Sequence, residues 1–317
     1  AVPFTPIPGP RLLGRDDGAR RELLAALLGQ ARESGLSSLH LLFPLDTERA
    51  LLEAAGLMIR EGVQFHWENP PASANEPASP GAGAACSVPP RRWAGFEDFL
   101  ASLAGSKRKK IRQERRRAAA HGLHLQWLDG HEARDEDWAF FAHCYATTYA
   151  LHRSTPYLSA DFFLRLAHSM PEAVRLLVAR RDGHPVAAAF FLCDREALYG
   201  RYWGCIEDLP FVHFELCYYQ AIEYCLEHGL ARFEGGAQGE HKLARGLLPV
   251  RTYSAHWLAD ARFRGAVDDW LARERAGVSH YLDELAEHSP FRHDRDAAGS
   301  AGTGQTADAE RAPPPPR

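Results

Sequence analysis

The chain has 317 residues, 45% hydrophobic and 25% charged, with a formal net charge of −4. That is ample for a sizeable core in one large or two smaller domains, and it excludes a protein that coats nucleic acid or an anionic membrane over its whole surface. No apolar run approaches the roughly 20 residues that span a bilayer, and the first residues lack the pattern of a signal peptide. The six cysteines (Cys86, Cys144, Cys193, Cys205, Cys217 and Cys225) form no C-x-x-C pair. We expect reduced, mostly buried thiols and a cytoplasmic location.

In chain order, residues 1–14 are extended and Pro-rich, and 18–33 carry apolar side chains at helical spacing. SLHLLF (38–43) has the character of a buried strand, DTERALLEAAG (46–56) of a helix capped by Asp46, and VQFHWE (63–68) of a second strand. Residues 69–91 are Pro, Ala, Gly and Ser without periodicity, and we expect a flexible insertion or linker. A short helix is predicted over 95–103. A strongly basic one follows over 106–122, with Ser106 as N-cap and Gly122 as its stop. Then come a strand at 123–128 and helices near 135–150 and 159–169. From 174 to 193 the pattern is strand, Asp182–Gly183 turn, strand. A third strand covers 197–205, a long helix 213–229, and a strand from 231 runs into a Gly-bearing loop. A strand over 252–258 and an amphipathic helix over 262–288 complete the pattern, and the tail 294–317 is expected to be disordered.

This order, together with the strings SKRKKIRQERR, LYGRYWGC, FVHFELCYYQAIEYCLEHGL and EGGAQGEHKLARG, resembles a bacterial family of Fem-like, GNAT-related proteins described as peptidoglycan biosynthesis or recognition proteins. The resemblance covers essentially residues 1–293. It implies an α/β, GNAT-like acyl-CoA N-acyltransferase fold in two tandem units, the first lacking strands that would precede Ala1. The implied division is 1–68 for the first unit, 69–91 for the insertion and 92–293 for the second unit. Fem enzymes move an amino acid from aminoacyl-tRNA to an amine of a cell-wall precursor, whereas ordinary GNAT enzymes move an acetyl group from acetyl-CoA.

Four segments carry candidate chemistry. In the basic helix, Lys107, Arg108, Lys109, Lys110, Arg112, Arg115, Arg116 and Arg117 concentrate positive charge in an acidic chain. Lys109, Arg112 and Arg116 are candidate contacts for phosphates of a CoA, a nucleotide-linked sugar or a tRNA. The bland alternative is a solvated helix whose Arg stems cover the joint between units. No aromatic residue interleaves the run, which weighs against nucleic acid. In the loop GGAQGEHKLARG (235–246), Gln238, Gly239 and Gly246 match the GNAT pyrophosphate motif only in part. Glu240, His241, Lys242 and Arg245 crowd titratable groups after a strand end. In the third strand, Arg201 sits among aromatic residues and needs a partner or a ligand, and Tyr202 and Trp203 are candidate walls of an acyl pocket. By the GNAT resemblance, a splay beside this strand admits the donor. His213 is a candidate base. So is Glu234, whose alternative is a salt bridge to Arg232 or Arg201. Tyr253 is a candidate acid on fold analogy alone.

P-loop, H-E-x-x-H and G-x-S-x-G motifs are absent, and no metal site is expected. The expected function is transfer of an acyl or aminoacyl group from a thioester or tRNA ester to an amine. Acyl-CoA or aminoacyl-tRNA would be the co-substrate, with no tightly bound cofactor. The alternative is a non-catalytic module that recognises a phosphorylated cell-envelope precursor.

Overall fold

A computed structural model describes residues 6–69, 93–237 and 239–292. Gln238, the side chain of Glu240, residues 70–91 of the expected insertion and the expected tail lie outside the described residues.

The elements are α1 (Asp17–Glu33), β1 (Ser38–Leu42), α2 (Asp46–Ala54), β2 (Met58–Glu68), α3 (Phe96–Ser102), α4 (Gly105–Ala119), β3 (His124–Asp129), α5 (Asp135–Leu151), α6 (Ala160–Ser169), β4 (Val174–Arg181), β5 (His184–Cys193), β6 (Ala197–Cys205), α7 (Val212–Phe214), α8 (Gln220–Glu227), β7 (Arg232–Glu234), β8 (Leu248–Leu258) and α9 (Ala261–Glu287). The strands form one eight-stranded sheet in the order β1-β8-β2-β7-β6-β5-β4-β3. Its pairings are antiparallel except β6 with β7.

Alternation along β4 divides the interior. Leu177 and Ala179 point into a core with Phe65, Phe99, Phe191, Leu216, Tyr219 and Phe233, which α3, α4 and α8 close. Leu176 and Val178 point the other way, into a second core with Trp138, Phe141, Phe163 and Phe190 beneath α5 and α6. Full burial of each large apolar side chain contributes about 1.5–3 kcal/mol. A third cluster packs α1 and α2 on β1, β2 and β8 through Leu24, Leu28, Leu52, Ile59 and Trp257.

Several predicted boundaries move. β2 begins at Met58 rather than 63 and β8 at Leu248 rather than 252. The two pair without interruption from Met58↔His256 to His66↔Leu248, so tertiary pairing carries strand geometry through the charged and Gly-bearing stretch Arg60–Gly62. Ser106 is not the cap of α4. The cap position falls on Ala104, whose N–H is held by the Pro290 carbonyl at 2.9 Å. Nor does Asp46 cap α2. Leu45 takes that position, and its N–H bonds to Glu48 Oε2 at 3.1 Å. The buried Glu48 carboxylate also accepts the N–H groups of Arg11 and Leu12, fastening the N-terminal segment to α2. The Asp182–Gly183 turn is present with both residues at positive φ. α5 lies close on β6 because residue 204 is Gly: a Cβ there would stand 2.2 Å from the Cys144 carbonyl oxygen.

Candidate active site

The one parallel pairing among the described strands decides where the sheet opens. β6 and β7 run together only from Ala197↔Arg232 to Tyr199↔Glu234. Past that point the chain after β7 turns to β2: the Gly235 N–H donates to the Phe65 carbonyl at 2.9 Å, and the Phe65 N–H to the Gly236 carbonyl at 3.0 Å. β6 continues to Cys205 with its β7-side edge open. On its other edge a bulge leaves Arg201 unpaired between Phe191↔Gly200 and Phe190↔Tyr202, which re-aims its side chain.

The gap is a cavity of about 110 Å³, lined by Arg201, Tyr202 and Trp203 of β6, by His213, Cys217 and Tyr218, and by Phe233 and Gly235. The helical residues arrive there through a distorted turn. Phe211 has φ 72°, a costly left-handed conformation for a bulky side chain, and α7 follows it directly. Between α7 and α8, residues Glu215–Tyr219 form a π-helical turn in which the Gln220 N–H reaches back five residues to the Glu215 carbonyl. His213, Cys217 and Tyr218 line the gap, while Glu215 and Leu216 face α4.

Burial lowers the pKa of three basic groups at or beside the gap, His213, His241 and Lys242. His213 packs against Trp203 with ring centroids 4.4 Å apart and the planes tilted by 32°. Burial drives its pKa down to about 4, and His241, Arg245 and Lys242 push the same way. His241 bonds through Nε2 to the Tyr218 hydroxyl at 3.1 Å. It too is lowered by burial, with Arg245 and Lys242 adding to the effect. Lys242 is 5% exposed and has no ion pair among the described residues; its Nζ donates to the Gly236 carbonyl at 3.3 Å. Burial lowers it to about 8, and the nearby Cys217 partly opposes this. Burial pushes the Cys217 thiol well up, which removes it as a thiolate nucleophile.

The remaining predicted residues divide. Gly239 adopts φ 97° and opens the tight turn Glu240–Arg245 that carries His241 and Lys242. Arg245 is fully engaged elsewhere. It pairs with buried Glu114 at 2.8 Å, bonds to the Tyr219 hydroxyl at 3.0 Å and the His241 carbonyl at 2.6 Å, and lies over the Phe214 ring. Glu234 does not face the loop. Phe233 packs on the loop side with Leu243 and Leu247, so strand alternation turns Glu234 to the other face. There it pairs with Arg232 at 2.9 Å, and burial raises its pKa. Tyr253 lies on β8, three strand spacings or about 14 Å from β6, beside Arg49 and Asp46. Lys109, Arg112 and Arg116 line a different hollow, beside α4.

Three features escaped the sequence reading: the π turn, the strained Phe211, and Glu114. Only Glu114 had a signal. It is the one acid in the basic run, and it shares the spacing of Ile111 and Ala118, the buried face of α4. Among the described residues, no group of three or more His, Cys, Asp or Glu is arranged to hold a metal ion, and no helix is long and apolar enough to cross a membrane.

The sequence profile of the FemAB_like family, described as peptidoglycan biosynthesis/recognition, matches residues 1–76 and 85–293. The chain belongs to this family. No curated protein matches this FemAB_like chain in sequence. Among solved structures, it is similar to the C-terminal domain of a putative lysylphosphatidylglycerol synthetase from Agrobacterium fabrum (14% identity, 81% of this chain and 78% of that one, TM-score 0.54). It is also similar to L-PGS from Bacillus licheniformis (12%, 80% and 78%, TM-score 0.54) and to FemX (11%, 80% and 80%, TM-score 0.51). At these identities the likeness is one of fold, a mixed α/β arrangement around one sheet, and the α/β class is the one expected from the sequence.

Proposed function

We propose that the gap between β6 and β7 transfers an acyl or aminoacyl group to an amine. The observation that carries this reading is the meeting, at one opening in the sheet, of an open strand edge with His213 in its lining, backed by His241 on Tyr218 and Lys242 on Gly236, three basic groups whose pKa burial lowers. The family description and the FemX-like fold agree with it.

In such a transfer the amine nitrogen attacks the carbonyl carbon of the ester or thioester. The C–N bond forms, the new ammonium sheds a proton, and the C–O or C–S bond breaks as the leaving atom takes a proton. Lys242, lowered to about 8, can receive a proton from the ammonium in its neutral form, which grows as the pH passes that value. His213, held at about 4, is a poor proton store but a steady hydrogen-bond acceptor that orients the amine. Backbone N–H groups on the open edge of β6 are the donors available to a tetrahedral oxyanion. Tyr202 and Trp203 wall the acyl group, and Arg201, which has no ion pair among the described residues, receives an anionic group of one substrate.

The test is calorimetric titration with acetyl-CoA and, separately, aminoacyl-tRNA, followed by a transfer assay to an amine. One donor is expected to bind below millimolar. Failure of both removes the reading. Binding of a nucleotide-linked muropeptide without turnover, whatever the donor, makes the protein a recognition module instead.

A further inference from the structure

The three cations predicted on α4 lie away from the gap, beside a hollow of about 680 Å³ that shares none of its lining residues. One wall of the hollow is α4 from Gly105 to Ala119, a run of about 21 Å at 1.5 Å per residue. The residues of this wall (105, 108, 109, 112, 115, 116, 118 and 119) follow the spacing of three and four and form one broad helix face. Across from it lie Leu100, Leu123, Leu125, Val212 and Leu216, three of them buried.

The charges on this wall are unbalanced. Glu97 pairs with Arg112, while Glu215 and Glu223 pair with Arg115. Arg108, Lys109 and Arg116 make no ion pair among the described residues. An apolar floor beside a wall of unmatched cations is complementary to an alkyl chain with an anionic end. None of the large hydrophobic side chains exposed at the surface lines the floor, whose accessible part is the half-buried Leu123 and Leu125, a recess that suits a single alkyl chain better than a bilayer surface. Nucleic acid is disfavoured because the one aromatic ring in the lining, Phe96, is covered by Arg115.

We propose that this groove binds one long-chain fatty acid, its alkyl chain along the floor and its carboxylate on the Arg108–Lys109–Arg116 wall. The site is independent of the transfer proposed for the gap and stands whether or not that transfer occurs.

Displacement of a fluorescent fatty acid from the purified chain tests it, with oleate, oleyl alcohol and acetate as competitors. Oleate is expected to bind at least about tenfold more tightly than the alcohol, and acetate not to compete. The triple variant Arg108→Gln, Lys109→Gln, Arg116→Gln should bring oleate down to the affinity of the alcohol, with the melt unchanged. Ala119→Trp, at an exposed position, should fill the channel and abolish binding with every charge intact. Equal affinity for oleate and its alcohol overturns the proposal, as does wild-type binding by Ala119→Trp. A tRNA that binds wild type and Ala119→Trp alike, while oleate binds neither, also overturns it and assigns the wall to nucleic acid.

Discussion

The turn over 212–219 separates two regions that treat charge in opposite ways. Toward α4, Glu114 holds Arg245 and Tyr219, and Arg115 is held by Glu215 and Glu223, with Gln220 bonded to both acids. Glu114, Arg115, Glu215, Glu223 and Arg245 each have a counterion in this network, which ties α4 to the turn carrying His241. Toward the sheet, half-buried His213 and buried Lys242 make no ion pair among the described residues, and burial lowers the pKa of both. A complete network is inert because its charges are spent on one another. An incomplete one stays chemically available, at a cost in stability.

The contrast can be broken first on its completed side. Glu114→Ala leaves Arg245 buried and unpaired, and we expect a loss of about 3–5 kcal/mol in chemical denaturation. A loss below about 1 kcal/mol would mean that the network holds nothing.

Acid sharpens the other side. His213 and His66 have folded-state values near 4, below the unfolded value of about 6.5. Between those values the unfolded chain takes up protons that the folded chain refuses. The stability contribution is therefore intact above pH 6.5 and lost as the pH falls toward 4, by roughly 3 kcal/mol for His66. Denaturation midpoints across that range should fall, and less steeply in His213→Phe. A flat profile would show that these imidazoles are not held neutral.

Lys242→Met should cut transfer about 100-fold while leaving the melt unchanged or raised, since it removes an unpaired buried amine. In wild type the rate should rise as the pH passes through about 8, because deprotonated Lys242 is the active form. Lys242→Arg, protonated at every accessible pH, should not rescue. Retention of the pH limb in Lys242→Met would move the base elsewhere. Gly204→Ala, by pressing a methyl group on the Cys144 carbonyl, should cost about 1–3 kcal/mol. The smallest effect belongs to Tyr253→Phe, within about 0.5 kcal/mol and without change in rate.

Much of the fold was legible because its elements advertise themselves locally. The Asp182–Gly183 hairpin, the helix before Gly122 and the strand over 197–205 each follow from turn chemistry or periodicity. The first residues of β2 and β8 were not, because their strand geometry comes from pairing with each other across most of the chain. At the site, the crowding of titratable residues in 239–245 was visible, but the division of labour was not. Arg245 and Lys242 stand three apart in one loop, and only packing assigns one to Glu114 and leaves the other with no ion pair among the described residues. Glu234 and Tyr253 look equally chemical in sequence. Strand alternation and strand order, which are properties of the assembled sheet, take them out of the gap.

The position of β2 has a consequence for how the chain comes into being. Its neighbours are residues 232–234 and 248–256, so both edges of this strand wait for residues made well over a hundred positions later. At about 5–20 residues per second, a ribosome needs on the order of ten seconds or more to deliver them. During that interval Phe65 and Trp67, each all but fully buried in the finished protein, belong to a strand with nothing to pair against. Folding therefore includes an insertion: β7 and β8 must arrive on either side of a strand made long before them. Long-range closure of this kind is slow and exposes sticky edges, so the newborn chain is a natural client for chaperones.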